Sequence, residues 1–550
     1  MKRNIVVLSL CFAAFVLGAV MHRYTYVPYP QGRDLIKATV LAVKRRLAPP
    51  DKALSRQYSS DQEKLPLGRD VETALLPLKL RGVRLSDHLA VPKVAGGITA
   101  IGHSVVVLDR LGNLYVWERQ KSRVDRLPFP PIPNNIKDYL GSALVLSSEE
   151  QPTTLTDYTF RAYDVAYMAH SGRLAVSHEY FDRQLGKSRL AVSTIEIDER
   201  PVLPKGSWET IFLGDPLPGI PTTQGGGQLV ASDNGRILAL SIGDHGMDTK
   251  AQDKNSRFGK IVQIAVNTRQ HKILGIGFRN PQGLAATSTG DLLATDHGPL
   301  GGDELNLIVE GANYGWPNVT LGTDYSTYTY HRLRDKDAVG EHTGFAPPLF
   351  AWIPSVGVSS VIQVKGFHRR WDGDILVGSL KATSLFRLRF EQSRVQSQSL
   401  VQYVEQIWVG QRIRDIAQTE DGAIILWTDD AQLLSLSVDQ QLLARNKRHG
   451  LSNEDPLASS PCMHCHHFGP TSPADPAPTL SNLFTRRIAS DSFRYSAALR
   501  SKEGVWTEDK LRQFLAAPNV FASGTSMMNN NLRPAEIEAI IKSLKAHRDD

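Results

Sequence analysis

The sequence predicts a mainly β chain, in which a six-bladed β-propeller is followed by a small all-α domain and preceded by a membrane anchor or signal helix. Three observations predict this order. A turn followed by Gly-x-Leu or Gly-x-Ile at the start of an apolar stretch appears at six places between residues 112 and 424, a Cys-x-x-Cys-His pattern lies near the C-terminus, and an apolar run opens the chain. We therefore assign residues 1–22 to the anchor or signal, 23–75 to a basic linker, 76–445 to the propeller and 446–550 to the C-terminal domain.

The N-terminal segment begins Met1-Lys2-Arg3-Asn4 and is apolar from Ile5 to Met21. No clear small-x-small cleavage site follows, which favours an uncleaved anchor over a cleaved signal. Residues 33–47 form a basic amphipathic pattern that suits either anionic headgroups or solvent. The net charge is +7, yet residues 1–60 hold ten basic and two acidic side chains, so the excess does not indicate nucleic-acid binding.

The six Gly-x-Leu/Ile copies each follow turn residues and open an apolar stretch, as a β-hairpin does. Six such units at propeller spacing predict six blades, and a β-sandwich or two small barrels is the alternative. The copies begin at Gly112, Gly172, Gly235, Gly290, Gly373 and Gly422.

Residues 462–466, Cys-Met-His-Cys-His, carry the attachment pattern of c-type haem. Cys462 and Cys465 would bond the haem vinyl groups, and His466 would bind the iron. A zinc site or a redox pair is the alternative, but Cys11 is the only other cysteine. Met527, after Gly-Thr-Ser, is the predicted sixth ligand, with Met528 as its rival.

The surrounding sequence resembles a class I cytochrome c domain over about the last 95 residues. Thr507 is a helix-cap residue before apolar positions 511, 514 and 515, and a last helix begins at Pro534. Covalent haem attachment implies that the bulk of the chain lies on the periplasmic side of the inner membrane.

Four stretches in the central region resemble the soluble glucose and aldose sugar dehydrogenase family, whose members are six-bladed propellers that bind pyrroloquinoline quinone (PQQ). The resemblance covers roughly residues 160–435. The stretches are Gly277 to Leu284, Asp296 to Pro299, Gly302 to Asn306 and Asn313 to Pro317.

The resemblance implies a set of site residues. Lys381, Arg412 and Arg414 match the cations that bind the PQQ carboxylates, and Arg279 and Asn280 match residues that contact the quinone. Alternation along a strand puts 412 and 414 on one face, and guanidinium groups suit carboxylates.

Calcium is the third cofactor that the resemblance implies. The carbonyls of Gly298 and Pro299 match its ligands, and Asp303 and Glu304 match the acidic pair of the adjacent loop. Oxygen ligands of this kind fit a hard cation, and a hairpin with solvated carboxylates is the alternative.

One position departs from the family pattern. Gln224 stands where the family has the histidine that removes the hydroxyl proton, and glutamine cannot accept a proton at neutral pH. Loss of a positioned base costs about 10²–10⁴ in rate. His297, or a water held by Gln224, would then have to act as the base.

The sequence thus leaves two functions open. The first is a quinohaemoprotein dehydrogenase that oxidises a sugar or alcohol and passes electrons through haem to a respiratory acceptor. The second is a catalytically weakened propeller that acts as a ligand-binding or electron-relay haem protein. A propeller without a cofactor would not need the five matched residues.

Overall fold

The computed structural model describes residues 66–71, 73, 76–85, 96–119, 123–142, 145, 160–232, 235–323, 342–390 and 401–440. In the C-terminal part it describes residues 457, 462, 466–469, 477–490, 492, 493, 495–523, 525, 527 and 532–546. The anchor or signal segment 1–22 and the amphipathic stretch 33–47 lie outside these residues. Within the described ranges, no helix combines the length and the apolar character that a membrane crossing requires.

The described strands form six sheets. The strands in chain order are β1 Arg69–Val71, β2 Leu78–Arg84, β3 Gly97–Ile101, β4 Ser104–Leu108, β5 Leu114–Glu118, β6 Arg123–Arg126, β7 Ala162–Met168, β8 Arg173–Asp182, β9 Lys187–Glu199, β10 Val202–Leu213, β11 Gly226–Ser232, β12 Ile237–Ile242, β13 Lys260–Ala265, β14 His271–Ile276, β15 Pro281–Ala286, β16 Leu292–Asp296, β17 Asp303–Ile308, β18 Ala312–Asn313, β19 Phe350–Trp352, β20 Val358–Gln363, β21 Ile375–Ser379, β22 Ser384–Phe390, β23 Val401–Trp408, β24 Ile413–Gln418, β25 Ile424–Thr428 and β26 Gln432–Val438.

The sheets are the six blades of a propeller. The strand orders are β3-β4-β5-β6, β7-β8-β9-β10, β11-β12-β13-β14-β18, β15-β16-β17-β19, β20-β21-β22-β23 and β24-β25-β26-β2-β1. The first strand of each order contacts the first strand of the next blade, and β24 contacts β3, so the ring closes. The predicted six-bladed architecture is confirmed.

The N-terminal part of the ring completes the last blade. Strand β2 pairs antiparallel with β26, from Leu78 opposite Val438 to Arg84 opposite Gln432. Strand β1 pairs with β2, although Arg69–Val71 falls in the stretch 23–75 assigned to the linker. The propeller therefore begins before residue 76.

The recurrent glycines have a conformational reason. All six adopt positive φ, between 58° and 87°, at the turn before a strand. Other residues are strained in this region because their Cβ meets the backbone. Each blade holds one copy, which opens β5 in the first blade and the second strand in each of the other five.

Five helices are described. They are α1 Ile136–Leu140, α2 Ala497–Arg500, α3 Glu508–Ala516, α4 Pro518–Phe521 and α5 Pro534–Ala546. The Thr507 hydroxyl caps α3 by accepting from the Lys510 amide, as predicted. Leu511, Phe514 and Leu515 of α3 are buried in one apolar cluster with four residues of α5, which are Ile537, Ile540, Ile541 and Leu544.

Candidate functional site

The predicted PQQ residues lie where inner strands of the propeller begin. Asn280 directly precedes β15, Gln224 lies shortly before β11, and Arg412 directly precedes β24. Inner strands of neighbouring blades contact one another round the ring. The starts of these strands therefore meet at one end of the propeller. Hydrogen bonds between residues of different blades support this placement.

One chain of hydrogen bonds joins three blades. Arg414 donates from Nη1 to the Gln282 Oε1 atom at 3.4 Å, and Gln282 donates from Nε2 to the Asn280 Oδ1 atom at 2.8 Å. The Gly226 amide donates to the same Asn280 oxygen at 3.3 Å. The fold thus brings Asn280 and Arg414 together although 134 positions separate them in the sequence.

The paired arginines share one carboxylate. Arg412 Nε lies 2.9 Å from Asp429 Oδ2, and Arg414 Nε lies 2.8 Å from Asp429 Oδ1. Burial acts to raise the Asp429 pKa, but the two guanidinium groups outweigh it and hold the pKa below its ordinary value. Arg412 also donates to the Leu380 carbonyl at 3.2 Å, beside Lys381, which is exposed.

Arg279 lies at the start of another blade, just before β15, and hydrogen bonds fix its position. Its Nη1 donates to the carbonyls of His297 and Gly298, at 2.8 and 2.9 Å. The amides of Arg279 and Asn280 donate to Asp296 at 2.9 and 2.7 Å. Burial, together with nearby Glu304, raises the pKa of Asp296 to about 7 despite these bonds.

His297 faces the same cations. Its side chain is 26% exposed, and its Nε2 lies 3.9 Å from Asp303 Oδ1. Burial lowers its pKa, and so do Arg279, Arg412 and Arg414, against the attraction of Asp303. The imidazole is therefore neutral at pH 7 and able to accept a proton.

The two acidic residues predicted to bind calcium, Asp303 and Glu304, have partners within the protein. Asp303 is fully buried and accepts from the Ser355 hydroxyl, from the Gly298 amide and from the amides of residues 356, 357 and 358. These donors fill the carboxylate, so Asp303 does not fit a calcium ligand. Glu304 lies 3.3 Å from His342 Nε2, and the Gly298 carbonyl already accepts from Arg279.

Gln224 precedes a glycine run that packs against one aromatic ring. A Cβ on Gly225 would lie 2.4 Å from the Tyr163 hydroxyl, and one on Gly227 would lie 2.4 Å from the Tyr163 ring. Only glycine fits there, which explains the sequence Gly-Gly-Gly after Gln224. The Gln224 carbonyl accepts from the His245 amide at 3.2 Å.

Sequence reasoning missed four residues beside Gln224. Arg161 stacks on Tyr163, with Cζ 4.8 Å from the ring centroid, and the Tyr163 hydroxyl donates to Glu179 at 2.6 Å. Burial raises the Glu179 pKa to about 7, while burial and Arg161 lower the His245 pKa to about 3. The sequence offered one signal for this group of residues. Arg161 is a charged residue directly before the apolar strand β7.

A second site lies in the C-terminal domain. Cys462, His466 and Met527 line a cavity of about 190 Å³. His466 donates from Nδ1 to the Pro478 carbonyl at 2.8 Å, which leaves Nε2 as the nitrogen able to bind a metal. The remaining wall is mostly apolar and includes Leu457, Leu480, Leu483, Leu499, Trp506, Phe514 and Ile540.

This arrangement fits a haem. A thiol, an imidazole and a thioether lie on the wall of one apolar cavity, and burial lowers the His466 pKa, which favours the neutral form that binds iron. Cys465 and Met528 lie outside the described residues, so the second thioether bond and the choice between the methionines stay predictions.

Fold and sites together define a six-bladed propeller joined to a domain whose apolar cavity is lined by a thiol, an imidazole and a thioether. Residues 163–435 match the family model described as glucose/sorbosone dehydrogenase. An aldose sugar dehydrogenase from Escherichia coli is 30% identical over 229 residues, which are 38% of this chain and 59% of that protein. Quinoprotein glucose dehydrogenase B from Acinetobacter calcoaceticus is 31% identical over 246 residues, 36% of this chain and 48% of that protein.

The comparisons also cover the haem domain and the fold. A cytochrome c2 from Afifella marina is 34% identical over 94 residues, 16% of this chain and 76% of that protein. The crystal structure of the soluble aldose sugar dehydrogenase from Escherichia coli, in the apo-form, has a TM-score of 0.52 at 22% identity. That match covers 65% of this chain and 99% of the other, and it concerns the fold alone.

The propeller therefore belongs to the glucose/sorbosone dehydrogenase family, and the C-terminal domain belongs to the cytochromes c. The chain spans only about half the length of the two dehydrogenase relatives that it matches.

Proposed function

We propose that this protein is a quinohaemoprotein dehydrogenase that oxidises a sugar or an alcohol with PQQ and passes the electrons through haem c to a respiratory acceptor. One observation carries the proposal. Arg279 from one blade and Arg412 and Arg414 from another converge on one end of a dehydrogenase-family propeller, and the same chain holds a cavity lined by Cys462, His466 and Met527.

The convergent residues have distinct roles in this proposal. Arg412 and Arg414 keep part of each guanidinium for a ligand carboxylate while Asp429 fixes their orientation. Arg279 and Asn280, anchored by Asp296, contact the quinone end. When bound, PQQ supplies a two-electron acceptor, and haem c supplies a one-electron carrier.

The hydroxyl proton needs an acceptor other than Gln224. His297 meets the requirement, because its neutral imidazole is partly exposed among the three arginines. A water held by Gln224 is the second candidate. The variant His297→Gln separates them, since it abolishes turnover only if the imidazole is the base.

The alternative function is an electron-relay or ligand-binding haem protein that has lost turnover. Gln224 favours it, because the family base is missing at that position. In that case the pocket binds PQQ or a sugar, yet no sugar reduces the haem.

The cell location and the third cofactor are also part of the proposal. The chain acts on the periplasmic side of the inner membrane, with residues 1–22 as its anchor, because haem c is attached outside the cytoplasm. Calcium binds the carbonyls of Gly298 and Pro299 without Asp303. Activity that survives a chelator after PQQ loading would refute the calcium part alone.

The decisive experiment uses the full chain matured with haem and reconstituted with PQQ. Addition of an aldose should reduce an artificial dye and also bleach the oxidised haem spectrum, with neither change in protein that lacks PQQ. Tight PQQ binding with no reduction of dye or haem by any sugar or alcohol tested would refute the dehydrogenase and favour the relay.

A further inference from the structure

Arg161 is a buried cation that forms no ion pair with any carboxylate among the described residues. Its side chain precedes β7, and the residue is 7% exposed. Within the described part of the chain it has no salt bridge, and its Nε has no hydrogen-bond partner. Its Nη2 donates to the Thr223 carbonyl over a long 3.5 Å.

The described neighbours compensate this guanidinium only in part. Burial lowers the Arg161 pKa and outweighs the attraction of Tyr163 and Glu179, and the positive charge of Arg414 lowers the pKa further. Glu179, the acid that acts on Arg161, accepts from Tyr163 and has a pKa raised to about 7 by burial, so it is only partly ionised at neutral pH. His245 is uncharged there because burial lowers its pKa to about 3.

A buried charge without a partner is costly, and such charges usually belong to a functional site. The guanidinium presents a planar fork of donors that fits a carboxylate in two parallel hydrogen bonds. The missing partner is therefore an anion that enters with a ligand.

The position of Arg161 indicates which ligand. It contacts Thr223, the residue before Gln224, where the family resemblance implies that the hydroxyl of the substrate reacts. The cations matched to the PQQ carboxylates lie together elsewhere, since Arg412 and Arg414 share Asp429, and Arg412 reaches the carbonyl beside Lys381. Arg161 is one cation more than those carboxylates require.

We propose that Arg161 binds a carboxylate of the substrate, so that the site beside Gln224 selects an acidic sugar, such as a hexuronic acid, over a neutral one. The inference rests on the proposed dehydrogenase function and names its substrate class. The same carboxylate chemistry could come from PQQ, and the test distinguishes the two sources.

The first arm needs no substitution. Binding of D-glucuronate, its neutral methyl ester and D-glucose is measured by calorimetry on the full chain loaded with PQQ, so turnover is not required. Glucuronate should bind about 10- to 100-fold more tightly than the ester or glucose, the factor typical of a hydrogen bond between charged groups. Equal affinity for the acid and its ester would overturn the proposal.

The second arm uses Arg161→Gln, with Arg161→Lys as the variant that keeps the charge. Arg161→Gln should abolish the preference for glucuronate, Arg161→Lys should keep part of it, and neither should change PQQ affinity by more than about threefold. Arg173→Gln is the matched control, because that arginine is paired with Glu196 and Glu209. A tenfold loss of PQQ affinity in Arg161→Gln would assign the carboxylate to the cofactor and overturn the substrate assignment.

The melting temperature of each variant reports on folding, and ligand binding reports on function. Since Arg161→Gln removes a buried charge without a partner, its melting temperature should equal or exceed that of the wild type. Reduction of the haem by neutral sugars without any preference for the acid would leave the dehydrogenase proposal intact and refute this one. Failure of the wild type to bind PQQ would instead refute the proposed function.

Discussion

Asp429 is the carboxylate that holds Arg412 and Arg414, and its replacement by alanine is expected to destabilise the propeller. Arg414 makes two of the contacts, Nε at 2.8 Å and Nη2 at 3.2 Å, and its side chain is only 13% exposed. Arg412 makes one contact at 2.9 Å, but its side chain is 42% exposed.

The expected magnitude follows from these exposures. Removing one partner of a buried ion pair costs about 3–5 kcal/mol, because it leaves the other charge uncompensated. This value applies to Arg414. Arg412 is screened by solvent and adds less than about 1 kcal/mol. The free energy of unfolding should therefore fall by about 3–5 kcal/mol in Asp429→Ala.

The assay is denaturant unfolding of the propeller transition in the full chain at pH 7. Asp198→Ala is the matched control, because Asp198 pairs with Lys205 at 2.7 Å and both side chains are more than half exposed. The control should change the unfolding free energy by less than about 0.5 kcal/mol. If both variants unfold at the same denaturant concentration, Asp429 does not hold the arginines as described.

The pH dependence gives an independent check of the same carboxylate. The folded-state pKa of Asp429 is lowered, so its contribution to stability is present above the unfolded pKa of about 3.9 and is lost as the pH falls through the folded value. The stability difference between wild type and Asp429→Ala should be constant from pH 5 to 8, as about one pH unit above 3.9 suffices for full ionisation, and should shrink only in stronger acid. A difference that already vanishes at pH 6 would contradict the lowered pKa.

The remaining predictions concern catalysis and the cofactors. If a water at Gln224 is the proton acceptor, Gln224→His should raise turnover about 10²-fold or more, with a gain that grows as the pH rises through about 6.5. An unchanged rate in an already fast enzyme would mean that another residue, such as His297, is the base. Arg414→Glu should abolish PQQ binding in calorimetry, and wild-type affinity would refute its role. Cys465→Ala should remove the haem-stained band from a denaturing gel, whereas an unstained wild type would exclude covalent haem. Met527→Ala should remove the weak near-infrared sulfur–iron band and lower the potential, and the same loss in Met528→Ala instead would move the ligand by one residue.

The parts of this protein that short segments specify could be predicted from the sequence. The Cys-x-x-Cys-His pattern needs only five residues, because haem attachment is local covalent chemistry. The six glycines that open strands were also found from the sequence, because each turn requires a positive φ that other residues avoid. Helix α3 followed from its cap, Thr507, and from the spacing of its apolar residues.

The resemblance to a family supplied residue identities at the other site but not their contacts. It named Arg279, Arg412 and Arg414, which the structure places at the starts of inner strands. It also assigned Asp303 to calcium, whereas the carboxylate is filled by donors of residues 298 and 355–358. Whether the Asp303 oxygens accept hydrogen bonds within the protein depends on residues 355–358, which lie more than fifty positions further along the chain.

The sequence by itself determined the number of blades, the haem motif and the types of charged residue available, since all of these depend on neighbours within a few positions. Only the tertiary structure decided which charges meet. It closed the ring through β2 and β26 and placed Asp429 between two arginines. Among the residues that the structure describes, it gave Arg161 no ion pair with a carboxylate. The physical reason is that closing a ring of blades brings together strand ends that lie far apart along the chain, and no local pattern encodes such distances.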